Sequence, residues 1–266
     1  AGGYDVLVAD VERSTIDLAV TRAEWRSLEA AGHQVILVER ARPLQEALQP
    51  APAQAPANPA TELSASAAAV PATYRNLDAI VARMADIAAT YPAIAQLVDL
   101  TTTYNTPPTS EGRHLFALKI SDNVAADEDE PAVLLVSAHH AREISTPVIT
   151  LGAAERLTAG YASDARIAAA VNTHEIWIAP VWNPDGYNHV FTTDNLWRKN
   201  RRVFAGGVGV DQNRNYSQGW NAPCAGSTSA GSETYKGPAA ASEPETQTLT
   251  TWSERERFAK LVEYGL

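Results

Sequence analysis

An α/β fold, with a sheet covered by helices on both faces, is what this sequence predicts, on three observations. Continuous apolar runs, Val133-Leu134-Leu135-Val136 and Glu175-Ile176-Trp177-Ile178-Ala179, read as strands buried on both faces. Leu77, Ile80, Val81, Met84, Ile87 and Ala88 recur at helical spacing. The two kinds of segment alternate, the pattern that buries a sheet between helical layers. In such folds functional groups gather at the carboxyl ends of strands.

Taken in order, residues 1–48 form a small α/β segment. Tyr4-Asp5-Val6-Leu7-Val8-Ala9 predicts a strand, residues 22–31 a helix ended by Gly32, and residues 33–38 a second short strand. A unit this small is a poor independent domain. Residues 49–73 are mostly Ala, Pro, Ser and Thr, which cannot build a core, so they read as an extended, protease-accessible linker. Residues 74–266 are globular in pattern. The helix starting near Leu77 is closed by Tyr91-Pro92. A strand follows at 115–120, then the run at 133–136. A helix is expected over 145–157, where Pro147 falls in the tolerated first turn, followed by the strand at 175–179.

The charge balance excludes some partners. With 21 Lys+Arg against 31 Asp+Glu the chain carries a net charge of −10, unfavourable for nucleic acid or an anionic membrane. No apolar run approaches a membrane span. The first residues lack the basic and apolar regions of a signal peptide, so any such peptide is expected to be already removed. Cys224, the single cysteine, lies in a polar loop. A free thiol and a disulfide partner outside this chain both stay open.

Four motifs carry chemistry or architecture. His140-Ala141-Arg142-Glu143 follows the buried run at 133–136, and an imidazole and a carboxylate three residues apart can share one zinc ion. Six histidines and 31 acidic residues in 266 give about 0.7 such pairs by chance, so spacing alone proves little; position at a strand end raises its value. Residues 195–202 place Arg198, Lys199, Arg201 and Arg202 within five positions, a local positive field suited to an anionic ligand. Asn213-Arg214 pairs an amide with a planar fork, a cradle for a terminal carboxylate. Asn183-Pro184-Asp185-Gly186-Tyr187 reads as an architectural turn. The acidic stretch Asp122 to Glu130, with Asp127-Glu128-Asp129-Glu130, reads first as a solvated loop, with calcium the lesser alternative.

The order His140-x-x-Glu143, Asn183-Pro184-Asp185-Gly186-Tyr187, Trp197-Arg198-Lys199, Asp211-x-Asn213-Arg214-Asn215, Glu233-Thr234-Tyr235-x-Gly237-Pro238 and Ser242-Glu243-Pro244-Glu245-Thr246 is similar to the funnelin-type zinc metallocarboxypeptidases. The likeness runs from Tyr74 to Leu266, and residues 1–48 resemble the end of a propeptide. It implies a mixed, mostly parallel central sheet, incomplete at its C-terminal end. It implies one catalytic zinc held by His140 and Glu143, and Arg198 as the group stabilising the oxyanion. Asn213 and Arg214 would bind the substrate's C-terminal carboxylate, and Arg142 would help anchor the substrate. The protein would be a secreted zymogen acting on peptide and protein C-termini. His139, His174 and His189 are given structural or surface roles.

The resemblance also implies groups not found here: a third zinc-ligating His on the strand after the helix containing residues 257–261, then a Tyr and a general-base Glu. All are expected beyond Leu266, on the same chain or on a separate chain after cleavage. The 266-residue chain alone is therefore expected to bind zinc weakly and to lack peptidase activity. Two other functions stay open: an amidase or deacylase on the same scaffold, against which Asn213-Arg214 argues, and a non-catalytic peptide-binding pseudoenzyme.

Overall fold

The computed structural model describes residues 5–10, 15–19, 26, 28–35, 70, 74–223 and 225–265. Cys224 and nearly all of the expected linker at 49–73 lie outside them. The chain divides into two compact units, Ala1–Glu62 and Leu63–Leu266.

In the first unit, β1 (Asp5–Asp10) pairs antiparallel with β2 (Thr15–Ala19), with an irregularity between Val6 and Val8. The second of these strands was not expected from the sequence. Helical backbone at 28–30 ends where Gly32 takes φ +84° and its N–H donates to Glu29 O, a left-handed stop that glycine adopts at little cost. Of the strand expected at 33–38, residues 33–35 carry no strand pairing and 36–38 lie outside the described residues.

The second unit is built on a five-stranded sheet ordered β3-β4-β6-β5-β9, from β3 (Ala95–Asp99), β4 (Phe116–Ile120), β5 (Ala132–Ser137), β6 (Glu175–Ala179) and β9 (Lys260–Tyr264). β4 runs antiparallel to both its neighbours, whereas β6, β5 and β9 are mutually parallel. Four strands thus share one direction, the mixed and mostly parallel sheet expected. A two-stranded ribbon, β7 (Val203–Phe204) with β8 (Gly207–Val208), lies apart from it.

Helices α1 (Leu77–Thr90), α3 (Thr146–Gly160) and α4 (Ala165–Val171) supply one core. Ile80, Met84 and Ile87 of α1 join Leu118, Ile120, Ile176 and Ile178 with Leu151, Ala154 and Val171. The opposite core joins Leu134, Val136, Trp177 and Ala179 to Leu100 of α2 (Leu100–Thr103) and to Leu249 and Trp252 of α6 (Pro244–Glu256). Ile176 and Ile178 face one layer while Trp177 and Ala179 face the other, the period-two alternation of a strand buried on both sides. Trp252 meets Trp177 edge-on at 5.4 Å and stacks on Trp182 at 5.9 Å. Aromatic pairs of this kind add about 0.5–1.5 kcal/mol beyond burial.

Two local expectations fail for identifiable reasons. Asn183-Pro184-Asp185-Gly186-Tyr187 is the first turn of α5 (Pro184–Thr192), not a free turn: the Asn183 side chain accepts from Gly186 N at 2.9 Å, and Pro184 sits where no helical donor is needed. A Cβ on Gly186 would fall 2.5 Å from Lys199 O, so only glycine fits. Residues 257–261 are not helical. Arg257 turns left-handed at φ +48°, Ala259 N donates to Ala132 O at 2.8 Å, and Lys260 already pairs with Val133. Pairing with β5 decides the state of this segment, which therefore begins its strand before the chain's last residues.

Candidate metal centre and its rim

The carboxyl end of β5 runs into a buried turn. Ala138 takes φ +54°, an uncommon conformation for a residue with a Cβ and one that persists only where neighbours impose it. They do so here: Ala138 N donates to Thr146 Oγ1 of α3 at 3.2 Å, and Ala138 O accepts from Asn183 N at 3.1 Å. Asn183 Nδ2 also donates to His139 O at 3.1 Å. The turn is gripped from two helices before any ligand arrives.

On it, His140 and Glu143 are 6% and 5% exposed, and His140 Nδ1 lies 2.7 Å from Glu143 Oε1. The other carboxylate oxygen, Glu143 Oε2, is buried with no hydrogen-bond partner. His140 Nε2 lies 3.2 Å from Asp211 Oδ1. With Asp211 accepting the Nε2 proton, Nδ1 presents its lone pair beside Glu143, the arrangement a carboxylate-oriented metal histidine uses. Burial resists charging His140, but the Asp211 and Glu143 carboxylates outweigh it and raise its pKa. An imidazole nitrogen and an unsatisfied carboxylate oxygen aimed into one space fit a zinc ion.

Asp211 is the residue sequence reasoning missed. Its side chain is fully buried, and its Oδ2 accepts from Arg198 Nη2 at 2.9 Å and Nε at 3.2 Å. Its Oδ1 accepts from Asn213 N at 3.1 Å, capping a 3₁₀ turn at Gln212–Arg214. Burial would raise its pKa, yet His140 and Arg198 hold it below the usual carboxylate range. A signal was present: an acidic residue between apolar Val210 and the Asn-Arg pair must be paired if buried.

The structure thus joins His140, Glu143 and Arg198 through Asp211, with Asn213 tied to the same carboxylate by its backbone. Asn213 is exposed and Arg214 half-buried; Arg214 Nη1 donates to Asn213 O at 3.1 Å. Their turn is anchored by Asn215, fully buried, whose Nδ2 donates to Lys236 O, Ala239 O and Ser242 Oγ, and whose Oδ1 accepts from Glu243 N and Thr246 Oγ1. Arg142 is exposed and donates to Leu196 O at 3.2 Å and Glu233 Oε2 at 3.3 Å.

The positive field expected at 198–202 is largely neutralised from within. Lys199 is buried with its ammonium on Ala230 O and Ser232 O, Arg201 packs over Trp197, and Arg202 pairs with Glu243 at 2.9 Å. His139 is 2% exposed, with Nε2 2.7 Å from Tyr216 OH and Nδ1 2.8 Å from Glu263 Oε1, an ion-pair contact rather than an aligned hydrogen bond. Among the described residues, Asp122, Glu128 and Glu130 gather three carboxylates within 4.8 Å of one another.

The sequence profile of the zinc carboxypeptidase (peptidase M14) family matches residues 80–264. A zinc carboxypeptidase of Saccharothrix mutabilis subsp. capreolus is 37% identical over 55% of this chain and 33% of its own length. Carboxypeptidase A2 of Rattus norvegicus is 35% identical over 66% of this chain and 40% of its own length. Among solved structures, carboxypeptidase A of Helicoverpa armigera superposes with a TM-score of 0.63 at 31% identity, covering 72% of this chain and 46% of that one. The chain spans between a third and a half of the length of these relatives.

Proposed function

The chain belongs to the zinc carboxypeptidase family, and from that premise we propose that it carries the metal-binding and carboxylate-gripping part of a zinc-dependent exopeptidase site that removes C-terminal residues from peptides. One observation carries the reading: a buried, unpartnered Glu143 oxygen beside His140 Nδ1, with Nε2 occupied by Asp211. When bound, zinc would polarise the scissile carbonyl and lower the pKa of a water.

The protein's own groups do the rest. Asp211 fixes the His140 ring and holds the Arg198 guanidinium beside it, and Arg198 supplies positive charge where a carbonyl oxygen gains negative charge. Arg214 and Asn213 offer a guanidinium fork and an amide to a free carboxylate; a substrate lacking one leaves them unpaired, which favours ends over interior bonds. Arg142 adds an anchoring charge at the rim. Residues 1–48 act as a propeptide, released when the Ala/Pro-rich linker is cut in an extracellular setting.

The test uses the full-length protein. Zinc is expected at one ion per molecule and lost in His140→Ala and Glu143→Gln. Peptides with free C-termini are expected to lose their last residue, C-terminally amidated ones to persist, and limited proteolysis of the linker to raise the rate. Equal cleavage of amidated and free peptides would refute the exopeptidase reading. Cleavage of murein-type amides alone would favour the amidase, and absence of zinc the pseudoenzyme.

A further inference from the structure

A cleft of about 590 Å³ opens between the loop at 107–111, the start of β7 and the first turn of α6, within the size range of small-molecule sites. It is separate from the metal pair and the carboxylate cradle, whose side chains do not line it. Its walls are braced: Glu111 N donates to the buried Asp185 Oδ2 at 2.8 Å, and Thr248 Oγ1 of α6 donates to Thr106 Oγ1 at 2.8 Å. Arg201 and Arg202 both line the cleft. Arg201 lies over Trp197 at 4.6 Å, which orients its guanidinium plane. Its Nε is buried with no hydrogen-bond partner, and its ion pair with Glu111 is long, 3.5 Å, whereas Arg113 holds the same carboxylate at 2.6 Å. Arg202 spends Nη1 on Ser242 O and the Glu243 carboxylate, which leaves Nε and Nη2 uncommitted among the described residues. A buried donor without an acceptor calls for an explanation. The remaining wall includes Pro107, Pro244 and Val203, the last 76% exposed and part of neither core.

We propose that this cleft binds a small phosphomonoester, its phosphate between Arg201 and Arg202 and its organic group against Pro107, Val203 and Pro244. A phosphate ester carries nearly two negative charges at neutral pH and offers three strong acceptor oxygens, which guanidinium forks meet with paired, charge-assisted hydrogen bonds. The positive end of α6, which opens at Pro244, adds to the same field. Glu111 is the one acidic residue lining the cleft. Exposed, and closer to Arg113 than to Arg201, it gives up Arg201 to a ligand at little cost, since exposed ion pairs are weak.

Calorimetric titration of the full-length protein with phenyl phosphate, at constant ionic strength, tests this. Phenyl phosphate is expected to bind more tightly than inorganic phosphate, which lacks the apolar group, and than phenyl sulfate, which carries one charge fewer. Replacing both arginines, Arg201→Gln with Arg202→Gln, should weaken binding by at least about tenfold. Because these arginines also pack against Trp197 and Glu243, two surface changes test the cleft without touching them. Val203→Asp, which adds a like charge to the apolar wall, should weaken binding severalfold, and Glu111→Gln, which removes the competing carboxylate, should strengthen it about threefold. Arg214→Ala and His140→Ala, which disable the cradle and the metal pair as rival anion sites, should leave it unchanged. The proposal falls if phenyl phosphate does not bind, if binding is lost in Arg214→Ala or His140→Ala, or if neither Val203→Asp nor Glu111→Gln alters it. Phenyl sulfate binding as tightly as phenyl phosphate would overturn the choice of a dianionic ligand.

Discussion

Two turns that share Asp211 are built in opposite ways. The turn at 138–143 is buried, carries a left-handed alanine, and is held by Thr146 and Asn183 from two helices. The turn Gln212–Arg214 leaves Asn213 exposed and Arg214 half-buried, and its rigidity comes from its two ends, Asp211 and Asn215. The proposed metal pair requires donors fixed to a fraction of an ångström, and it sits where packing has removed freedom. The proposed carboxylate cradle must admit a ligand from solvent, and its side chains stay outside while only its hinges are buried.

Asp211 couples the halves, and its removal should have the largest effect. Asp211→Ala strands the part-buried Arg198 and the buried His140 without their anion, and losing one partner of a buried pair costs about 3–5 kcal/mol. Thermal unfolding at pH 7 should register it, together with a drop in zinc affinity of about 10- to 100-fold from loss of the orienting carboxylate. The depressed Asp211 pKa fixes the sign of its pH dependence: its contribution is present above the unfolded carboxylate range and lost as pH falls through the lower folded value. An unchanged melting temperature would show that the two turns are independent.

Glu245 behaves in the reverse sense. Burial, with Glu243 and Asp185 adding to it, pushes its carboxyl up to about 8. The unfolded chain therefore releases this proton first, and stability falls as pH rises from about 4.5 toward 8. Glu245→Gln should match the parent below pH 4 and exceed it by roughly 5 kcal/mol above pH 8, read from denaturant midpoints across pH. A parallel pair of pH curves would contradict the buried, protonated state.

Asn215→Ala removes the inner hinge of the cradle and strands buried partners, for about 2 kcal/mol of stability and a raised KM in the full-length protein. The smallest structural effect belongs to Arg214→Ala. Half-buried and hydrogen-bonded only to the neighbouring Asn213 O, it should change stability by less than about 0.5 kcal/mol when lost and leave zinc binding intact, while raising KM for free-ended peptides. If Arg214→Ala and Asn215→Ala destabilise equally, the division between functional tip and structural hinge is wrong.

The alternation of helical and apolar segments, the strands at 133–136 and 175–179 and the helix opening at Leu77 were legible because burial on both faces leaves its period in the residues themselves. His140 and Glu143 were legible for a local reason: three residues apart in one turn, they need no distant partner to converge. Asp211, 71 positions from His140, had no such local signature. Its role exists only because a loop after β8 folds back onto the end of β5. Residues 257–261 were expected to be helical from the family resemblance, and pairing with β5 made them turn and strand.

What the sequence determined by itself were properties set by near neighbours: periodicity, caps, the chemistry offered by each motif, and the acidic surface that disfavours nucleic acid. What only the tertiary structure decided was which groups neutralise one another. The arginine-rich stretch turned out to be largely paired internally, and His139 to be wedged between Trp182 and Tyr216. Charge pairing and metal geometry depend on distances of a few ångströms between residues far apart in the chain, and those distances come into being only when the sheet is assembled.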